Sequence, residues 1–425
     1  MKKIILICAA LALTGSAFAQ KKNVNKVKNM IEYASSPINM DLSNLPADKL
    51  AEMRELLANA DTDPESANMP ETYKYKARLL LHDMNAMIQQ RTANNNEFVD
   101  KKAFFKNQAD IVKIYEKYEK VMTTPNEKGK LPVKEDEYKK EHALIQQLAQ
   151  NPRNNLFIGA SNLVYEAPAA TVELLDAYYE SFDNPLFEGL DLKNKDPYYK
   201  EGAYIYATAI KGAKGDEAKM VEYLNKALDS QNGALACQDL ITYYKEKGDK
   251  AKETEMYELA TKKFPEQLIF VVNLIQNNII DKNFTKAVEL SDQAIANMDN
   301  GTIKTVDAEG NHIEAARYPY YFRAVALYNL EKYEDAFAAF EKGVEFKQDY
   351  LDCIIGAGNT ATRIASMNKD KKAIADSWYK KAIKYYEQAK ELAPDQSDQW
   401  GYPLYASYYN SGNMAKAKQY EKYSK

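Results

Sequence analysis

Cysteine, histidine and tryptophan are scarce in this chain, at 3, 3 and 2 of 425 residues. Cys8 falls inside the first apolar run, so only Cys237 and Cys353 remain for the body of the chain, too few for a disulfide framework. Both read as small apolar core residues. His82, His142 and His312 are scattered, and none has a second ligand-type residue at HExxH or CxxC spacing, which argues against zinc. The GxSxG elbow, the GxxxxGKS/T phosphate loop and the GxGxxG dinucleotide fingerprint are also missing. The 61 acidic residues guarantee chance carboxylate pairs, so no glycosidase pair stands out. The expectation is a protein without catalytic residues, cofactor or metal. A formal net charge of −4, with both signs mixed along the chain, gives no basic patch for nucleic acid.

Long apolar runs are missing too, except at the start. Lys2 and Lys3 precede an apolar core from Ile4 to Leu13, and Ala17-Phe18-Ala19 supplies small residues at a cleavage site. Residues 1–19 therefore read as a secretory signal peptide, with the mature chain starting at Gln20. The run is shorter than the ~20 residues that span a bilayer, and Cys8 stands too early for lipidation. The expected location is the periplasm, free or at the outer-membrane face, with no transmembrane segment left after cleavage.

What the chain does have is tyrosine, 32 residues against 14 Phe. Tyr packs by its ring while its hydroxyl stays wet, which suits thin layers of helices. Residues 20–27 read as a flexible polar lead-in. Helical spacing follows at 47–58 (Leu50, Met53, Leu56, Leu57), 71–90 (Tyr73, Ala77, Leu81, Met84), 100–121 (Phe104, Ile111, Ile114, Tyr118) and 135–150. Residues 154–166 and 169–181 form a clearer pair, broken at Pro168. Residues 20–150 are thus expected to hold loose helical hairpins, and 151–425 a regular array.

The most regular stretch is Arg317 to Gln348. Tyr320, Ala324 and Leu327 share one helix face, and Tyr333, Ala336, Phe340 and Gly343 share another. Ala324, Ala336 and Gly343 let two backbones approach, while Tyr320, Leu327 and Phe340 fill the space around the contact. This order of large and small residues resembles the tetratricopeptide repeat, a helix-turn-helix unit of about 34 residues. Comparable units occupy 154–181, 201–232, 234–265, 268–298, 350–394 and 398–425. In the unit at 234–265, Gly248 permits a left-handed turn and Pro265 closes the repeat. Two insertions disturb the spacing: a small β-hairpin pairing 303–306 with 312–314, and a lengthening around 366–375. With its leader, the chain also resembles secreted tetratricopeptide proteins of the Gram-negative envelope.

The resemblance implies an all-α, right-handed superhelical solenoid whose first helices line a concave groove for a protein or peptide partner. The groove positions it implies are Gln238 and Thr242, Val272 and Gln276, Tyr321, Val325 and Tyr328, then Tyr402 and Tyr409. A carboxylate clamp needs Lys, Arg and Asn in the groove. Ile205, Ala209, Gln238, Thr242, Val272 and Gln276 stand there instead. The implied function is a noncatalytic interaction scaffold; the alternative is a substrate-binding protein that captures glycan or peptide for uptake.

Overall fold

The computed structural model describes residues 20–31, 42–126 and 128–424; the expected signal peptide lies outside the described residues. Among them there is no strand, and the chain divides into two compact units, up to Ala236 and from Cys237 onward.

The first unit opens with helix α1 (residues 20–31), where a flexible lead-in was expected. Val24, Val27 and Ile31 recur on one face and are buried with Leu42, Met53, Leu57, Tyr75 and Leu79. That apolar stripe outweighs the run of lysines beside it. Helices α2 (Ala47–Leu57), α3 (Pro70–Ala93), α4 (Lys101–Thr123), α5 (Glu135–Leu163) and α6 (Pro168–Glu180) follow. Pro70 and Pro168 sit in first turns, where a missing N–H costs nothing, and the Asp100 side chain caps α4 by accepting from the Ala103 N–H. From α3 to α6, each helix packs on the next.

Helix α5 corrects the reading of two helices, 135–150 and 154–166, because it runs unbroken through Pro152 and across the division expected at residue 150. A proline inside a helix loses a hydrogen bond and clashes with the preceding turn, at a cost of about 3 kcal/mol. Packing opposes that cost. Ile145, Ala149, Pro152 and Leu156 are buried, and Arg153, only 1% exposed, is held on several sides. Its Nε donates to Ser181 Oγ and its Nη1 to Asp196 Oδ2, each at 2.8 Å, while the guanidinium lies over the Phe182 ring at 4.4 Å and the Tyr178 ring at 4.9 Å. The short α7 (Leu192–Lys195) leads to the hairpin of α8 (Glu201–Gly212) and α9 (Glu217–Ala227).

Helix α10 (Gly233–Glu246) carries the division in its first turn. The second unit continues with α11 (Lys250–Lys263), α12 (Leu268–Ile280), α13 (Phe284–Asp299), α14 (Tyr318–Asn329), α15 (Tyr333–Phe346), α16 (Leu351–Met367), α17 (Lys372–Leu392), α18 (Ser397–Asn410) and α19 (Met414–Gln419). Four of its turns end the first helix in the same way. Gly248, Lys282, Glu331 and Gly412 take positive φ, and the N–H of the next residue returns to a carbonyl five residues back: Asp249 to Tyr244, Asn283 to Asn278, Lys332 to Leu327, Asn413 to Tyr408. This is the Schellman closure, and it satisfies carbonyls that a helix end leaves open. Asp249 and Asn413 then cap the following helices by accepting from Lys252 and Lys416 N–H.

Small residues set the approach of neighbouring helices. Ala260, Ala294 and Ala389 are buried, and a Cβ on Gly343 would lie 2.5 Å from Cys353 Sγ. Around that contact Leu327, Phe337, Phe340, Tyr350, Ile354 and Tyr386 form one core. Cys237 and Cys353 are free and buried; burial pushes the Cys237 thiol up to about 11 and raises that of Cys353 as well, so neither is an exposed thiolate nucleophile.

The expected β-hairpin is reduced to a single antiparallel bridge, Val306 to His312. Asp307 Oδ1 accepts from the N–H groups of Glu309 and Asn311 at 3.1 and 2.8 Å, so the loop meets its needs locally and the flanks do not extend into strands. The second insertion lengthens α16 and α17 around the turn at Asn368–Lys371.

Candidate functional site

In the second unit, α12 packs on α14, α14 on α16, and α16 on α18, besides the contacts within hairpins. The first helices from α12 to α18 therefore form a continuous layer. The second unit is a stack of tetratricopeptide-like repeats.

The layer of first helices contains a cavity of about 660 Å³. Tyr321, Val325 and Tyr328 reach it from α14, at the i, i+4, i+7 spacing that puts them on one helix face; Asn359 and Arg363 reach it from α16 and Tyr402 from α18. Gly356 makes room, for a Cβ there would meet the Phe340 ring at 2.4 Å. Tyr321 is anchored between the rings of Phe340 and Tyr350, at 6.2 and 5.9 Å, and burial raises its hydroxyl above the usual tyrosine range. Tyr328 stands edge-on to Tyr333 at 5.1 Å, and the exposed Arg363 lies over the Tyr333 ring at 5.5 Å. The aromatic wall is thus held by ring contacts beneath it.

Amides supply part of the polar lining, beside Asp352, Arg363 and the hydroxyls of Thr362 and Ser366. The Tyr386 hydroxyl, itself buried, donates to Oδ1 of the exposed Asn359 at 2.8 Å, a bond that does not use the Asn359 Nδ2 donors. Asn329 Nδ2 donates to the Val325 carbonyl at 2.8 Å, which leaves Asn329 Oδ1 as an acceptor. One donor group and one acceptor beside tyrosine rings match the alternating groups of a peptide backbone.

Four of the anticipated positions, Tyr321, Val325, Tyr328 and Tyr402, come together here; five lie elsewhere. Tyr409 follows Tyr405 and Tyr402 along the outer face of α18, with ring centroids 6.1 and 6.5 Å apart. Gln238 and Gln276 are exposed on α10 and α12 outside the cavity, and the Thr242 hydroxyl donates to the Gln238 carbonyl within its own helix. Val272 is buried and belongs to the core. The groove positions that the resemblance implies leave out Asn359 and Arg363, which stand in the lengthened helix α16. The signal was its run of small and polar residues, Gly356 to Arg363. Among the histidines, His142 Nδ1 lies 3.0 Å from Glu119 Oε2 and His312 stands edge-on to Phe346 at 5.4 Å.

No family model and no curated protein matches the chain. Solved structures do show likeness. The MamA protein is 17% identical over 45% of this chain and 89% of its own, with a TM-score of 0.35. The C-terminal part of a TPR repeat-containing protein from Cytophaga hutchinsonii is 14% identical over 63% and 93%, at 0.37. Yeast Tom70 is 13% identical over 93% and 73%, at 0.32.

Proposed function

We propose that the chain is a noncatalytic scaffold of the periplasm or outer-membrane face, which holds a protein or peptide partner on the first-helix layer of its second unit. The observation that carries the reading is the convergence of Tyr321, Tyr328 and Tyr402, from two separate hairpins, on one cavity with an unused amide donor and acceptor. Its volume lies in the range of ligand-binding pockets. The tyrosine row continues past it through Tyr405 to Tyr409, and that continuation favours an extended partner over a single captured sugar. The location rests on the leader reading of residues 1–19, and no helix among the described residues is long and apolar enough to cross a membrane.

The test is crosslinking of the tagged chain in intact cell envelopes, beside a Tyr321→Ala, Tyr328→Ala, Tyr402→Ala variant. A protein captured by the natural chain and lost from the variant, with the melting curve kept within a few degrees, supports the reading. Equal capture by both removes the groove from the function. Heat release on titration with glycans, in the absence of any protein partner, moves the assignment to substrate capture.

A further inference from the structure

The first unit holds a cleft of about 880 Å³ between α2, α3, α4 and the end of α6. Its floor is apolar, made by Leu57, Leu79 and Ile114, all nearly buried. Several charges on its walls are already matched. Arg54 pairs with Asp83, Lys76 with Asp61, Lys106 with Asp110 at 2.6 Å, and Glu119 accepts from the Tyr138 hydroxyl at 2.6 Å. Glu119 Oε2 is buried without a hydrogen-bond partner but lies 3.0 Å from His142 Nδ1, whereas no ion pair forms among the described residues at Glu116. Glu116 Oε1 is buried and has no hydrogen-bond partner, although the side chain lines an open cleft. The nearby Glu180, another wall residue, repels it, and Lys113 offsets the repulsion only in part. Burial first and Glu180 second push the Glu116 carboxyl up to about 7. A buried acceptor left unbonded is costly, and an incoming donor that also carries positive charge would relieve both the empty bond and the repulsion.

We propose that this cleft is a second binding site, taking an ammonium or guanidinium group on an apolar body, with Glu116 and Glu180 holding the cation and Leu57, Leu79 and Ile114 covering the body. The chemistry is shared by a free alkylamine and by a Lys or Arg side chain of a peptide. The site is independent of the tyrosine-lined cavity in the second unit.

Calorimetric titration of the full chain with hexylamine, hexylguanidine, hexanol and an acetylated, amidated pentapeptide with one central lysine tests the proposal. The two free cations are expected to bind at least tenfold more tightly than hexanol. Glu116→Gln should lose at least tenfold toward either cation while melting no lower than the natural chain, and Glu180→Gln should lose a smaller factor. The Tyr321→Ala, Tyr328→Ala, Tyr402→Ala variant should bind hexylamine unchanged. Peptide tighter than hexylamine identifies a side chain as the natural source, and the reverse a free amine; both support the cation site. Equal affinity for hexanol and hexylamine, no binding of either cation, or full retention in Glu116→Gln overturns it.

Discussion

Replacing Gly343 by Ala sets two effects of known sign against each other. Alanine in a helix interior gains about 0.5 to 1 kcal/mol over glycine. The new Cβ, however, would lie 2.5 Å from Cys353 Sγ and 3.3 Å from Cys353 Cβ, inside a core where Cys353 has no exposed surface. Overpacking of this kind costs about 1 to 3 kcal/mol, so a net loss of about 1 to 2 kcal/mol is expected. For a unit of this size the melting temperature should fall by roughly 2 to 8 °C. Removing the sulfur decides the cause. In Gly343→Ala with Cys353→Ala, the closest contacts of the new methyl become the retained Cβ of residue 353 and Tyr320 Cβ at 3.5 Å. The double variant should therefore recover much of the loss, with a coupling of about 1 to 3 kcal/mol in a double-mutant cycle. Melting followed by circular dichroism on the four proteins is the assay. A rise in melting temperature for Gly343→Ala alone, or strict additivity in the cycle, would mean that α15 and α16 do not meet at this pair, and the repeat register would be wrong.

Three other perturbations test separate parts of the molecule. Glu116 has a folded-state value raised to about 7 from an ordinary 4.5, so its contribution to stability is greatest below the ordinary value and is lost as pH rises through about 7. Glu116→Gln should therefore match the natural chain near pH 4 and exceed it at pH 8 by no more than about 3 kcal/mol in urea unfolding; equal stability at pH 8 refutes the burial argument. Asp196→Asn strips the counter-charge from Arg153, which has 1% exposure, and should cost about 3 to 5 kcal/mol in the same assay, whereas a loss under about 1 kcal/mol would show that Arg153 does not depend on the pair. Gly248→Ala forces a side chain into positive φ and should cost about 1 kcal/mol, while Lys282→Gly relieves the same strain and should cost nothing, as read from melting curves.

Much of the helical layout was legible because apolar spacing is a local property. Tyr320, Ala324 and Leu327 mark α14, and Leu240, Tyr244 and Gly248 mark α10 and its turn, without reference to any neighbour. Even the large-and-small order around Gly343 was readable, since a helix crossing needs a gap at one level and bulk beside it. Left-handed turns at Lys282 and Glu331 were not, because there the Schellman bonds hold a non-glycine residue in a conformation its own preference disfavours. Pro152 and the lysines of α1 misled for the same reason: each states a local preference, and burial of Arg153 or of Val24, Val27 and Ile31 overrides it. In the site, spacing alone grouped Tyr321 with Tyr328. Bringing Tyr402 to them, across a helix and some 70 residues later in sequence, and excluding Gln238, Thr242, Gln276 and Tyr409 from the same cavity, depended on how consecutive hairpins stack. Glu116 is the limiting case, one of 61 acidic residues in the sequence. Only tertiary structure buries its oxygen beside Glu180 above an apolar floor, because desolvation is a property of surroundings and no residue carries it alone.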